Sequence, residues 1–200
     1  MLVLANEFQE YLKFSNYING DHILIQEKVQ ELEKLAVDKI DFIRRAYHFV
    51  RDEIAHSWDI KDKIVTVTAS QVLKEGAGIC YAKSNLLAAL LRAASIPVGI
   101  CYQRLTLGDT PESGYCVHAL NAVYIAELNK WVRMDARGNK GNVHAEFSID
   151  KEILAFNIRP EYDEKDYPNL YAEPLPDLMA VLENSDDAID MYLHHLPEKI

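Results

Sequence analysis

At 200 residues and 49% hydrophobic composition the chain can bury a sizeable core, and its net charge of −10 argues against a general nucleic-acid binder. Phosphate contact needs clustered Lys and Arg, whereas here 31 acidic residues outnumber 21 basic ones. No apolar run reaches membrane-spanning length, which excludes an obvious transmembrane helix.

The opening residues lack the basic segment and length of a signal peptide, and three cysteines, Cys80, Cys101 and Cys116, are too few for a secreted disulfide framework. The expectation is a cytoplasmic protein with reduced thiols. No repeat or low-complexity linker divides it, so residues 1–200 read as one domain. Residues 1–37 form a helical N-terminal part, 38–142 the core, and 143–200 a C-terminal strap with helices.

In chain order, Phe8, Tyr11 and Leu12, then Ile25, Val29, Leu32 and Leu35, recur at helical steps. Asp38 reads as the N-cap of a helix over 41–55, with Ile40, Ile43, Tyr47, Val50 and Ile54 on its apolar stripe. His48 and His56 read as surface or partly packed residues of that helix, since no paired ligand spacing accompanies them. Residues 59–68 read as a connection, and Ser70 as the cap of one turn over 71–74. Glu75 to Ser84 is a glycine-punctuated turn that delivers Cys80 to the start of an apolar helix carrying Leu86, Leu87, Leu90 and Leu91. Ile96-Pro97 stops it. Strands follow at 98–105, 115–125 and 131–135, with a turn-rich loop at 107–114 and a tight connection at 127–130. Beyond them, 147–149 reads as a strand, 152–156 as a short helix or strand, 162–176 as an irregular strap, and 177–182 and 185–196 as closing helices, the latter capped by Ser185. His194 and His195 suit a helix end better than a metal pair. The pattern is α+β, a helix packed on an antiparallel sheet with flanking helices.

Cys80 is the residue whose setting points to chemistry. Unpaired amides and the positive end of the helix dipole would lower its thiol pKa and favour the thiolate, although a small core hydrophobe is the alternative reading. A base and an orienting group are available on the hairpin that follows. Reflecting His118 through a turn centred near Leu128 lands within a residue or two of Asp135, so the two are candidate cross-strand neighbours. A carboxylate there can hold one imidazole nitrogen while the other takes a thiol proton. Taken alone, Asp135 reads equally well as a turn residue or a salt-bridge partner. A metal site from Cys80, Cys116 and His118 is a weaker reading, because the Cys-x-His spacing lacks the usual ligand pattern.

From about Phe42 to Lys140 the chain resembles the transglutaminase-like superfamily, papain-related cysteine acyl-transfer enzymes. The resemblance is carried by Gly78-Ile79-Cys80-Tyr81-Ala82, Leu90-Leu91-Arg92-Ala93-Ala94-Ser95-Ile96-Pro97, His118-Ala119-Leu120-Asn121 and Trp131-Val132-Arg133-Met134-Asp135. It implies a papain/transglutaminase-like core with Cys80 as nucleophile, His118 as base and acid, and Asp135 as orienter. The implied reaction is thiol-dependent acyl transfer or amide hydrolysis through a thioester on a peptide, protein or small amide substrate. No cofactor, metal, nucleic acid or membrane is expected. The Cys80 amide is one oxyanion donor, with Gln71 or Tyr81 as candidates for the second. Ser95 stands where the family usually has glycine. A noncatalytic binding or scaffold protein on the same fold is the alternative, opposed by the complete Cys, His and Asp set. Symmetric pairing about the 107–114 loop also predicts that Cys101 and Cys116 face each other.

Overall fold

The computed structural model describes residues 2–200. In chain order it contains β1 (Val3–Leu4), a 3-10 turn at Phe8–Leu12, α1 (Ile23–Leu35), α2 (Lys39–His48), β2 (Ala55–His56), α3 (Ser57–Ile60), α4 (Ala69–Glu75), β3 (Ala77–Gly78) and α5 (Cys80–Ala93). The second half contributes β4 (Val98–Thr106), β5 (Tyr115–Ile125), β6 (Lys130–Met134), β7 (Lys165–Asp166), β8 (Asn169–Leu170), α6 (Pro176–Glu183) and α7 (Ala188–His194).

β6, β5, β4 and β7 form an antiparallel sheet in that order. α5 packs on β4 and β5, with α1, α2 and α4 around it. Every residue from Tyr81 to Arg92 is buried, which is why the sequence shows two apolar rows rather than one stripe. Its four leucines are fully enclosed, and removing them from water contributes roughly 6–12 kcal/mol before conformational entropy is counted. Polar staples fix the helix: Asn85 donates to Val67 O at 3.1 Å, and Asn121 on β5 donates to Ser84 O at 3.0 Å.

Ser95 follows α5 at φ 59°, the left-handed region that a glycine reaches without a Cβ penalty of about 1 kcal/mol. The departure from the family's glycine therefore falls on a turn geometry that glycine suits better.

Several boundaries differ from the sequence expectation. Asp38 does cap α2, accepting from Asp41 N at 2.8 Å, but the α-helix ends at His48 in a widened π turn over Phe49–Glu53. Ala55 and His56 leave the helix to pair in parallel with Ala77 and Gly78. α4 is capped by Thr68 rather than Ser70, whose hydroxyl and amide are taken by Asn19. α7 is capped by Asp187 rather than Ser185, because Asp187 Oδ1 accepts from Ile189 N at 2.9 Å. Residues 147–149 and 152–156 form neither strand nor helix.

Candidate active site

Three pieces of chain converge at the N-terminus of α5. The first is the turn that carries Cys80. Gly76 ends α4 at φ 68°, a left-handed C-cap, while Gly78 is required for space, since a Cβ there would lie 2.7 Å from Thr66 Oγ1. Ile79 has no side-chain acceptor with which to cap α5, so the N-cap residue leaves the first-turn amides without a side-chain partner of its own.

The second piece is the β5–β6 hairpin. Asn121 pairs with Met134, so continuing the register by one step sets Asp135 against Leu120, two residues from His118. His118 Nε2 nevertheless donates to Asp135 Oδ2 at 2.8 Å, with both side chains buried. Asp135 is held from other sides as well. Arg137 N donates to its Oδ1 at 3.1 Å, Ala155 N to its Oδ2 at 3.2 Å, and Tyr47 OH to its main-chain oxygen at 3.1 Å. The Phe156 ring packs edge-on against His118, with centroids 5.1 Å apart.

Burial alone would disfavour imidazolium at His118, but the Asp135 carboxylate, together with the neighbouring Cys80 sulfur, outweighs it and raises the His118 pKa. Burial likewise opposes ionisation of Asp135, yet the His118 partner and the two amides hold it below the usual carboxylate range. The charge state favoured is therefore imidazolium beside carboxylate. Because Nε2 is engaged by Asp135, Nδ1 is the nitrogen left for the thiol.

The third piece is β2, whose His56 pairs with Gly78 two residues before Cys80. His56, Cys80 and His118 line one cavity of about 220 Å³. His56 is 5% exposed, and its Nδ1 has no hydrogen-bond partner. Burial drives its pKa well below the ordinary histidine value, so the ring is neutral near pH 7. Arg137 and Asp59 form part of the wall and bind each other at 2.6 and 2.9 Å, which neutralises that side.

The structure thus brings together Cys80, His118 and Asp135, and places the two oxyanion candidates elsewhere or otherwise engaged. Gln71 sits in the α4 capping box, its Oε1 accepting from Val67 N and Thr68 N at 3.0 and 3.1 Å, and it does not line the cavity. Tyr81 borders the cavity, but its hydroxyl is committed to Val117 O at 2.9 Å. His56, read from sequence as packing or surface, lines the site and carries a buried ring nitrogen, Nδ1, without a hydrogen-bond partner. The signal that could have marked it is the break of helical periodicity at Ala55-His56-Ser57.

Cys101 and Cys116 are not opposed. The register pairs Cys101 with Leu120 and Cys116 with Leu105, a pairing that is symmetric about the 107–114 loop; Cys101 lies six residues before that loop and Cys116 only two after it, so the expected opposition miscounted their distances from the turn. Cys101 belongs to a buried cluster with Tyr11, Leu120 and Leu170, whereas Cys116 lines the cavity with Cys80. Burial pushes both thiols up to about 12, and the charge of Cys80 adds to the effect at Cys116. Among the described residues no group of three or more His, Cys, Asp or Glu side chains is placed to hold a metal ion, and no helix is long and apolar enough to cross a membrane.

Among solved structures, the chain is similar to a candidate cysteine protease from Cytophaga hutchinsonii, at 22% identity and a TM-score of 0.51 over 65% of this chain and 42% of that one. It is also similar to the periplasmic domain of TgpA from Pseudomonas aeruginosa, at 15% identity and a TM-score of 0.48 over 66% of this chain and 48% of that one. The chain therefore spans less than half of each of these structures. No curated protein sequence matches it. The family model described as the transglutaminase-like superfamily matches residues 26–136, more than half of the chain, and the protein belongs to that superfamily.

Proposed function

We propose that the protein is a thiol-dependent acyltransferase or amide hydrolase acting through Cys80, His118 and Asp135. The observation that carries this reading is the 2.8 Å His118–Asp135 contact, buried in the wall of the cavity that Cys80 enters from the α5 N-terminus. Cys80 Sγ attacks the carbonyl carbon of an amide. The oxyanion that forms is met by the Cys80 backbone amide and by an N–H of neutral His56. As the C–N bond breaks, the leaving amine takes the imidazolium proton from His118, and a thioester on Cys80 remains. Water or a second amine then attacks the thioester carbonyl, giving its proton to His118, and the Cys80 thiolate departs. Asp135 keeps the ring oriented and the imidazolium favoured throughout.

The substrate class is a peptide, protein or small amide. Three free cysteines fit work in a reducing compartment such as the cytoplasm. The test is hydroxamate formation from a panel of carboxamides with hydroxylamine as acceptor. Wild type yields hydroxamate and Cys80→Ala, with an unchanged thermal melt, yields none. Equal yields from the two proteins would remove the thiol mechanism.

A further inference from the structure

Resting on Cys80 as nucleophile, a second feature bears on which acyl groups reach it. The C-terminal segment is anchored over the cavity by several independent contacts. Ala188 N donates to Lys63 O at 2.9 Å, and Lys63 pairs with Asp187 at 2.8 Å. On α7, Tyr192 stacks on Trp58 with centroids 4.3 Å apart and planes 13° from parallel, and its ring lies 6.3 Å from His56. Tyr192 and Leu196 both line the cavity. Beyond α7 the chain runs along β5 and β4, where Pro197 O accepts from Val117 N at 2.9 Å and Glu198 O accepts from Arg104 Nε at 3.0 Å.

Val117 immediately precedes His118. Its amide is taken by Pro197 and its carbonyl by Tyr81 OH, so a polypeptide laid in extended form past His118 finds neither main-chain group free. The cavity, about 220 Å³, also falls below the roughly 300–1,000 Å³ of typical ligand pockets. Its wall offers no unpaired charge from Arg137 or Asp59, and His56 is neutral.

We infer that residues 188–200 are a specificity wall, with Tyr192 and Leu196 as its cavity-facing residues, which restricts the site to short, uncharged acyl groups presented at a chain end or on a small amide. A carbonyl in the middle of an extended polypeptide is excluded because the segment already occupies the path beside His118.

The test compares labelling of Cys80, read by peptide mass spectrometry, by N-ethylmaleimide and by the same maleimide carried mid-chain on an extended peptide. The ratio of the second rate to the first in urea-unfolded protein sets the reference. Folded wild type is expected to give a ratio lower by about tenfold or more, the size of discrimination a steric clash readily supplies. Tyr192→Ala combined with Leu196→Ala should raise the folded ratio by a similar factor. A folded wild-type ratio equal to the reference overturns the inference, as does a double variant that melts cooperatively but keeps the wild-type ratio. If the double variant fails to fold, the wild-type ratio alone decides. A Cys80 that withstands N-ethylmaleimide in the folded protein would instead overturn the nucleophile assignment and this inference with it.

Discussion

Asp135 receives the Nε2 proton of His118 at 2.8 Å although the two residues stand diagonally, not opposite, across the β5–β6 hairpin. The carboxylate is aimed by the amides of Arg137 and Ala155, which lie outside the sheet. Asp135→Asn should preserve the fold while presenting the wrong partner to the imidazole. Turnover is expected to fall by about 10³–10⁴, as tautomer loss does in a serine triad. An Asn variant with full turnover in the hydroxamate assay would reassign Asp135 to a structural turn.

In the proposed mechanism His56 makes the second oxyanion contact, since the residue lines the cavity with Cys80 and its buried Nδ1 has no hydrogen-bond partner. Replacing it by Phe keeps an aromatic ring against Tyr192 and removes the donor. The expected effect is a loss of about 10²–10³ in kcat with little change in KM, the behaviour of an interaction made chiefly in the transition state. A rise in KM at constant kcat would show that His56 only shapes the wall.

Lys83, on α5 three residues after Cys80, is 1% exposed and donates to Ile54 O, just before β2. Burial, and then the charge of Arg137, lower its pKa to about 7 against the opposing pull of Asp135, Asp59 and Asp52. In the unfolded chain the same amine titrates near roughly 10.4. Between about pH 7 and that value the unfolded state holds a proton that the folded state lacks, so stability rises with pH across this window. Below about pH 7 the penalty of the buried ammonium is fully present. Urea unfolding of wild type and Lys83→Met should therefore show the wild-type stability gaining on the variant as pH is raised from 7 towards 10, titrations common to both proteins cancelling. A difference that stays flat would mean that Lys83 keeps its charge in the fold.

Cys116 shares the cavity with Cys80, and Cys101 is buried in a separate cluster. Limited hydrogen peroxide should thus convert Cys80 to a sulfenic acid that condenses with Cys116, releasing water and forming a disulfide. Peptide mapping is expected to find the Cys80–Cys116 bridge and activity to return on reduction. A dominant Cys101–Cys116 bridge would contradict the placement of these thiols.

The parts of the fold that follow from local physics could be read directly. α5, β4 and β5 are long enough for their apolar patterns to speak, and Cys80, His118 and Asp135 lie at a helix start and near strand positions that a single turn relates. What escaped depends on competition between side chains for the same backbone groups. Thr68 and Ser70 are both good caps, and only the reciprocal bonds of Gln71 and the capture of Ser70 by Asn19 decide between them. His56 looked like the end of a helix because its partner strand, Ala77–Gly78, is two residues long. Residues 152–156, whose sequence suits a short helix or strand, form neither, yet the Ala155 amide and the Phe156 ring finish the environment of Asp135 and His118. Such contacts are tertiary and leave no periodic trace in the sequence.

The claim on which the rest depends is that Cys80 carries the acyl group. Intact-protein and peptide mass spectrometry after a short acid quench from a small activated ester, such as 4-nitrophenyl acetate, measures this directly. The account predicts one acetyl group on Cys80 in wild type, released on addition of hydroxylamine, and none at that position in His118→Ala on the same timescale. Acetylation found on Cys101, Cys116 or a lysine, with Cys80 unmodified, would contradict it.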